Sequence, residues 1–289
     1  MPTQAPSPNL TIPVSPLTRA SFAEFGEVIE NPSTHDNDGS VQSVIANQGS
    51  ATKYLNPSHL INHYNPSTSG KAANSVFNMF VCKPRQLQQK GSSGHRVFPV
   101  HILERHPFTP QSFIPMGLDK EDPNTAYLVI VAPTLPLTQA MRDSYNPPYP
   151  NPAPSRKRSL RERLLGARPN PFTNDFLTRT TPEMSASASP ASPASTRPKG
   201  PGLPDLNNLR AFIARGDQAV TYGPGTWHAP MVVLGQKVVE FVVVQYANGV
   251  AAEDCQEAEL VVKEGEYGLE VNVQEGLVTI DMLDVKAKL

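Results

Sequence analysis

Apolar residues recur at every second position along much of this chain, in stretches too short for helices of useful length. Val76 to Cys82 alternates Val76, Asn78, Phe80 and Cys82 against Phe77, Met79 and Val81, so both faces of the strand it predicts are partly apolar. His95 to Glu104 places Phe98, Val100 and Ile102 two apart. Tyr127 to Ala132 (YLVIVA) is continuously apolar, as a strand covered on both sides requires. Val41 to Ala46 and Gln218 to Tyr222 read as further strands, Gln111 to Pro115 is a short apolar stretch, and Met231–Leu234 with Val238–Tyr246 reads as a hairpin turning at Gly235-Gln236. Leu17 to Glu30 predicts a short helix capped by Thr18 and closed by Gly26, running into a strand. Leu206 to Arg215 fits either a short helical face or a strand, and Glu270–Val273 with Leu277–Asp281 predicts another strand pair. Many short strands at intervals of roughly 8–12 residues imply an all-β barrel or sandwich.

The alternation stops abruptly after Ala140. Residues 141–202 are rich in Pro, Ser and Ala, and cannot bury enough apolar surface to offset chain entropy. They read as a disordered basic insert, which leaves 1–140 and 203–289 as one discontinuous domain. The net charge of −1 conceals this division. Residues 151–203 hold nine Lys/Arg against three acids, a balance of +6 that leaves −7 for the rest. An acidic folded part argues against a nucleic-acid partner. Two distant cysteines, Cys82 and Cys255, make neither a disulfide framework nor a zinc cluster. Met1 to Leu10 lacks the basic and apolar regions of a secretory signal, and no apolar run is long enough to cross a membrane. The terminal Ala287-Lys288-Leu289 is a conservative variant of the Ser-Lys-Leu peroxisomal address, so a cytoplasmic or peroxisomal location is expected.

Two segments carry the chemistry. One is Glu104-Arg105-His106-Pro107 with Gln111 and then Gly117; the other is Gly223-Pro224-Gly225-Thr226-Trp227-His228. Set against the two motifs of the cupins, a jelly-roll superfamily, Glu104 stands for the first histidine, His106 for the second and Gln111 for the acid. In the second motif Gly225 and His228 match, while Gly223 replaces the proline and Val232 the asparagine. The chain thus resembles a degenerate cupin in which Glu104, His106, Gln111 and His228 converge at one barrel mouth. Such an N/O set suits Ni, Mn, Zn or Fe. The Glu-Arg-His-Pro run, Gln111-Ser112-Phe113-Ile114-Pro115-Met116, Pro204-Asp205-Leu206, Leu209-Arg210-Ala211-Phe212 and Trp227-His228-Ala229-Pro230 together resemble the ureidoglycolate lyase family. The resemblance covers roughly residues 14–133 and 203–260.

That resemblance implies a mainly β, cupin-like jelly-roll barrel with a few short helices and a long disordered insert, in a homodimer. It implies a carbon–nitrogen lyase that splits (S)-ureidoglycolate, a small-molecule substrate, into glyoxylate and urea in allantoin (purine) degradation, with nickel as the metal. The expected catalytic residues are His228, Glu104 and Glu240, the last because an acid in an apolar strand needs a reason to be there. Arg105, Lys237 and Tyr222 are the expected substrate ligands, and His106, Gln111 and His228 the expected metal ligands. Two other readings stay open: another cupin-type metal enzyme acting on a small carboxylate, or a barrel that binds without catalysis. The replaced cupin histidine and glutamate argue against a dioxygenase, which needs two histidines and a carboxylate with open positions.

Overall fold

The computed structural model describes residues 2–34, 41–90, 95–122, 124–136 and 198–273. Residues 137–197, which include 141–197 of the expected insert, and the tail beyond 273, with the expected strand Leu277–Asp281, lie outside the described residues. Residues 198–202, also assigned to the insert, are described and are held by hydrogen bonds to Arg105 and Pro224. The described chain is mainly β. Its strands are β1 (Thr3–Pro6), β2 (Leu10–Pro16), β3 (Gly26–Ile29), β4 (Ser43–Ala46), β5 (Ala51–Tyr54), β6 (Asn74–Cys82), β7 (Gln88–Lys90), β8 (His95–Pro99) and β9 (Ile102–Arg105). They continue as β10 (Gln111–Met116), β11 (Thr125–Ala132), β12 (Arg210–Ala214), β13 (Ala219–Tyr222), β14 (Trp227–His228), β15 (Val232–Gly235), β16 (Val239–Ala247), β17 (Gln256–Val261) and β18 (Leu269–Asn272). Two one-turn helices, α1 (Arg19–Phe22) and α2 (Ala251–Asp254), complete the regular structure with two 3-10 turns. Thr18 caps α1 as expected, exchanging hydrogen bonds with Ser21.

A larger sheet runs β1-β17-β9-β14-β11-β12-β2-β18-β8-β7, with β15 also on β11; a smaller one runs β3-β13-β10-β16-β6; β4 and β5 form a separate hairpin. All eight residues of β11 are buried. Tyr127, Val129 and Val131 meet Phe113, Val220, Tyr222, Phe241 and Val243 between the two sheets. Leu128, Ile130 and Ala132 face a second cluster with Leu103, Trp227, Leu260 and Val271, around which the larger sheet curls. Burial on both faces is why this strand carries no polar alternation.

Three expected elements differ from those observed. The strand expected from His95 to Glu104 is two, because the chain changes partners at Val100–His101, where Val100 N–H donates to Leu269 and His101 accepts from Leu260. Leu206 to Arg215 resolves into a 3-10 turn at Leu206–Asn208 followed by β12. The expected hairpin is no hairpin: β15 pairs with β11 in the larger sheet, while β16 pairs with β10 and β6 in the smaller one. Gly235, at φ +103° and with no room for a Cβ beside the Asn124 carbonyl, begins the step between sheets.

Candidate active site

Strand register brings the two histidine segments together. His228 on β14 lies directly opposite Glu104 on β9 and, on its other side, opposite Val131 on β11. Directly paired residues point to the same face of a sheet. His228 and Glu104 therefore share the face of Val131, which lines the space between the sheets. The turn before His228 is tied to the end of β9 by Gly225 N–H, which donates to the His106 carbonyl at 2.7 Å. Gly225 has φ +74°, a conformation that glycine adopts without strain. From the smaller sheet, Gln111 on β10 and Tyr222 on β13 are direct partners and face the same space.

The ring nitrogens are individually accounted for. Because a carbonyl only accepts, His228 Nδ1 donates to Thr226 O at 2.9 Å, and His106 Nδ1 donates to Asp254 O at 2.6 Å. That leaves both Nε2 atoms turned to the site. His228 Nε2 lies 3.1 Å from Gln111 Oε1 and 3.5 Å from Glu104 Oε1. Gln111 is held in this orientation by its own amide, which donates to Gln245 Oε1 at 2.7 Å. His106 Nε2 is buried and has no hydrogen-bond partner. The Tyr222 ring stacks on His228 with centroids 4.0 Å apart, and its hydroxyl is likewise buried and unpartnered.

The electrostatics follow from burial and proximity. Burial first, then the neighbouring His228, pushes His106 down to about 4, so its ring is neutral at physiological pH. Burial acts to raise Glu104, but its hydrogen bond to His228 and the nearness of that ring prevail and hold it below the usual carboxylate range. Burial, and then the Glu104 carboxylate, raises Tyr222 far above ordinary tyrosine values, so its hydroxyl stays protonated. Cys255, whose Sγ lies 4.0 Å from Glu104 Oε2, is pushed up to about 12 by burial and by Glu104, Glu257 and Asp254, and remains a thiol.

Glu104, His106 and His228 can hold a metal ion: one ligand atom from each lies within 4.8 Å of the others. The buried, unpartnered Nε2 of His106 fits that role, since an open imidazole lone pair is what a divalent cation takes. Gln111 Oε1 adds a further oxygen beside them. The set lacks a thiolate and suits a borderline or hard divalent ion.

Three expected site residues are elsewhere. Glu240 is exposed, because inward positions on β16 fall on Val239, Phe241 and Val243 and it points the other way. Lys237 lies in the turn between β15 and β16, its side chain 70% exposed, and pairs with Asp122 at 2.7 Å. Arg105 is buried on the face of β9 opposite to Glu104, where its guanidinium bonds Gln256 and the carbonyls of residues 200–202. None of the three faces the cluster. Gln245 and the Thr226 and Asp254 carbonyls were not expected in it. A glutamine among the valines of β16 was a signal for the first; the two carbonyls carry none, since every residue has one. An open groove lined by Glu30, Asn31, Ser33, Thr52 and Tyr54 holds none of the cluster residues.

The family model for ureidoglycolate lyase matches residues 9–265. A ureidoglycolate lyase of Schizosaccharomyces pombe is 31% identical over 240 residues, covering 83% of this chain and 86% of that protein. One from Saccharomyces cerevisiae is 30% identical over 234 residues, 79% of this chain and 81% of that protein. One from Burkholderia mallei is 24% identical over 234 residues, 81% of each. The match spans every strand but β1 and β18 and every residue of the cluster, and the chain belongs to the ureidoglycolate lyase family.

Proposed function

We propose that this protein is a ureidoglycolate lyase that cleaves (S)-ureidoglycolate to glyoxylate and urea in allantoin degradation, a step of purine nitrogen recovery. The observation that carries this reading is the convergence of His228, Glu104, His106 and Gln111 in a chain whose family match spans them all. The substrate carries a hydroxyl, a carboxylate and a ureido group on one carbon. Its cleavage breaks the C–N bond, turns the C–O bond into C=O and moves the hydroxyl proton to the departing nitrogen. No oxidant or water is consumed. Glu104, held ionised beside His228, takes the hydroxyl proton, and His228 Nε2–H, which faces Gln111 and Glu104, protonates the ureido nitrogen; the proton then passes from Glu104 back to His228 and resets both groups. Tyr222 Oη donates to the substrate carboxylate, the role that Arg105 and Lys237 are not placed to fill.

A second reading of the cluster is favoured by the open His106 Nε2. In it Glu104, His106 and His228, with Gln111 beside them, hold a divalent ion such as nickel. The ion, when bound, supplies Lewis-acid activation of the substrate hydroxyl. One experiment separates the readings. Purified protein is assayed for glyoxylate and urea before and after dialysis against chelator, alongside His228→Ala. We expect His228→Ala to lower kcat by about 10²–10⁴-fold. Activity that survives chelation supports the acid–base route; loss restored by nickel supports the metal. Full activity in His228→Ala would remove the central residue from either.

A homodimer is the proposed assembly, supported by the apolar outer face of the smaller sheet, where Phe77, Met79, Val81, Ile114 and Met116 are exposed. A monomeric mass by light scattering at micromolar concentration would oppose it. Cytoplasmic or peroxisomal residence is proposed on Ala287-Lys288-Leu289. Among the described residues no helix is long and apolar enough to cross a membrane. A fluorescent reporter ending in the last dozen residues discriminates the two compartments.

A further inference from the structure

Arg105 sits in sequence between two members of the cluster, Glu104 and His106, yet its side chain takes no part in the site. Nε and Nη2 donate to Gln256 Oε1 at 3.0 and 2.8 Å. Nη2 also reaches Pro201 O at 2.9 Å, and Nη1 reaches Gly202 O at 2.6 Å and Gly200 O at 3.3 Å. The guanidinium lies 4.1 Å over the Trp227 ring. Trp227 Nε1–H donates to the same Gly202 carbonyl at 3.1 Å, and Lys199 N–H donates to Pro224 O at 2.9 Å.

Residues 199–202 therefore form a strap across the back of the turn that carries His228. One planar side chain ties the strap to three segments. It belongs to the segment of Glu104 and His106, it stacks on the residue before His228, and through Gln256 it reaches the segment whose Asp254 carbonyl orients His106. Gly202 lies directly against the segment of Leu135, where an added Cβ would stand 2.0 Å from Leu135 O, so no other residue fits there without a shift. A buried guanidinium is an expensive way to fill space, and apolar residues of similar volume often stabilise as much or more. What a fork of fixed donors supplies, and apolar packing does not, is a defined geometry among the groups it joins.

We propose that Arg105, acting through the strap 199–202, is a positioning residue that fixes the separation of His106 and His228 for the lyase reaction. The proposal rests on the lyase reading for its kinetic consequence but not for its geometry. None of these contacts involves Glu104, Gln111, Tyr222 or the two histidine rings. Loosening them therefore misplaces the histidines and lowers kcat while leaving KM nearly unchanged. Displacements near 1 Å suffice for about 10²-fold losses.

The test uses Arg105→Lys, which keeps the charge but not the fork, and Trp227→Phe, which removes a single donor to Gly202. Each is assayed for kcat and KM at a temperature where circular dichroism shows it folded. The His106 and His228 ring nitrogens are followed by ¹⁵N NMR. We expect kcat to fall at least about 10-fold in Arg105→Lys and less in Trp227→Phe, KM to stay within about twofold, and the Nδ1 signals of both histidines to move. Folded variants with a lower Tm but unchanged kcat and ring signals would show Arg105 to be structural only and overturn the proposal. Should Arg105→Lys not fold, Trp227→Phe decides on the same criteria. If the wild type itself yields no glyoxylate and urea, the lyase reading fails, and the ring-nitrogen signals still decide the positioning role.

Discussion

His106 and Tyr222 each present a buried polar atom to the site without a partner from the protein. An unpaired buried hydroxyl costs about 1–3 kcal/mol, so Tyr222 is retained at the expense of stability. Tyr222→Phe removes that hydroxyl while keeping the ring stacked on His228. We expect a Tm equal to or above that of the wild type and a KM raised by about 10-fold, as one lost hydrogen bond to the substrate predicts. An unchanged KM would take Tyr222 out of the pocket. His106 leaves a signature in stability. Its proton affinity falls from the unfolded value of 6.5 to about 4 in the fold. Between those pH values the unfolded chain binds the proton and the folded chain does not, so stability is complete above pH 6.5 and declines as pH falls toward 4. The decline attributable to this ring is on the order of 3 kcal/mol. Urea denaturation of wild type and His106→Gln at pH 7 and pH 4.5 measures it: the variant should lose less stability between the two. Equal losses would mean that His106 is not buried in its neutral form.

Strand positions were readable because alternation reports which residues a sheet must bury. The continuous run of β11 marks a strand buried on both faces, and Gln218–Tyr222 reads as the strand that carries Tyr222, whereas Gln111 is found through its motif. Pairing was less legible. Met231–Tyr246 has the pattern of a hairpin, but β15 and β16 belong to different sheets, and nothing in the local sequence separates a tight turn from a step between layers. Glu240 was misplaced for a related reason. β16 has apolar residues on both faces, Val242 and Val244 on one and Phe241 and Val243 on the other, so composition alone did not fix which parity points inward. Gln245 shares the parity of Phe241 and Val243, and it is the polar residue of β16 that bonds within the site. Close approach between elements makes a sharper prediction. Gly26 on β3 faces the backbone of β13, where an added Cβ would lie 1.9 Å from Thr221 O, whereas nothing lies within 4 Å of a Cβ at Gly117. Gly26→Ala forces β3 away from the strand that holds Tyr222 and should destabilise by roughly 1–3 kcal/mol. Gly117→Ala meets only the strain of φ +69° and should cost about 1 kcal/mol. Chemical denaturation of the pair tests the ranking; a Gly26→Ala protein as stable as the wild type would show that the two strands are not so closely packed.

Across the whole molecule, the question is what removal of the expected insert, residues 141–202, would disturb. Its two stems are joined before it begins: Leu135 N–H donates to Leu203 O at 2.8 Å, Asp205 N–H donates to Pro133 O at 2.7 Å, and Thr134 bridges Pro204. The ends are thus held at β-bridge distance by the fold itself. The cost of closure grows slowly with length, about 0.6 kcal/mol per doubling, so replacing a long loop by a short one changes stability little and in the favourable direction. The strap sets the limit of what can be removed, because Lys199 to Gly202 belong to the support of the histidine turn. We therefore expect a chain in which residues 141–196 are replaced by a short Gly/Ser linker to fold with a Tm within a few degrees of the wild type and to keep its kcat. A deletion carried on through residue 202 removes the three carbonyls that Arg105 holds, leaves a buried guanidinium short of acceptors, and should lose both stability and turnover. Measuring Tm and kcat for the two deletions side by side places the functional boundary of the insert. Equal loss in both would assign the insert itself a part in the catalytic fold, and equal retention would leave the strap without a role.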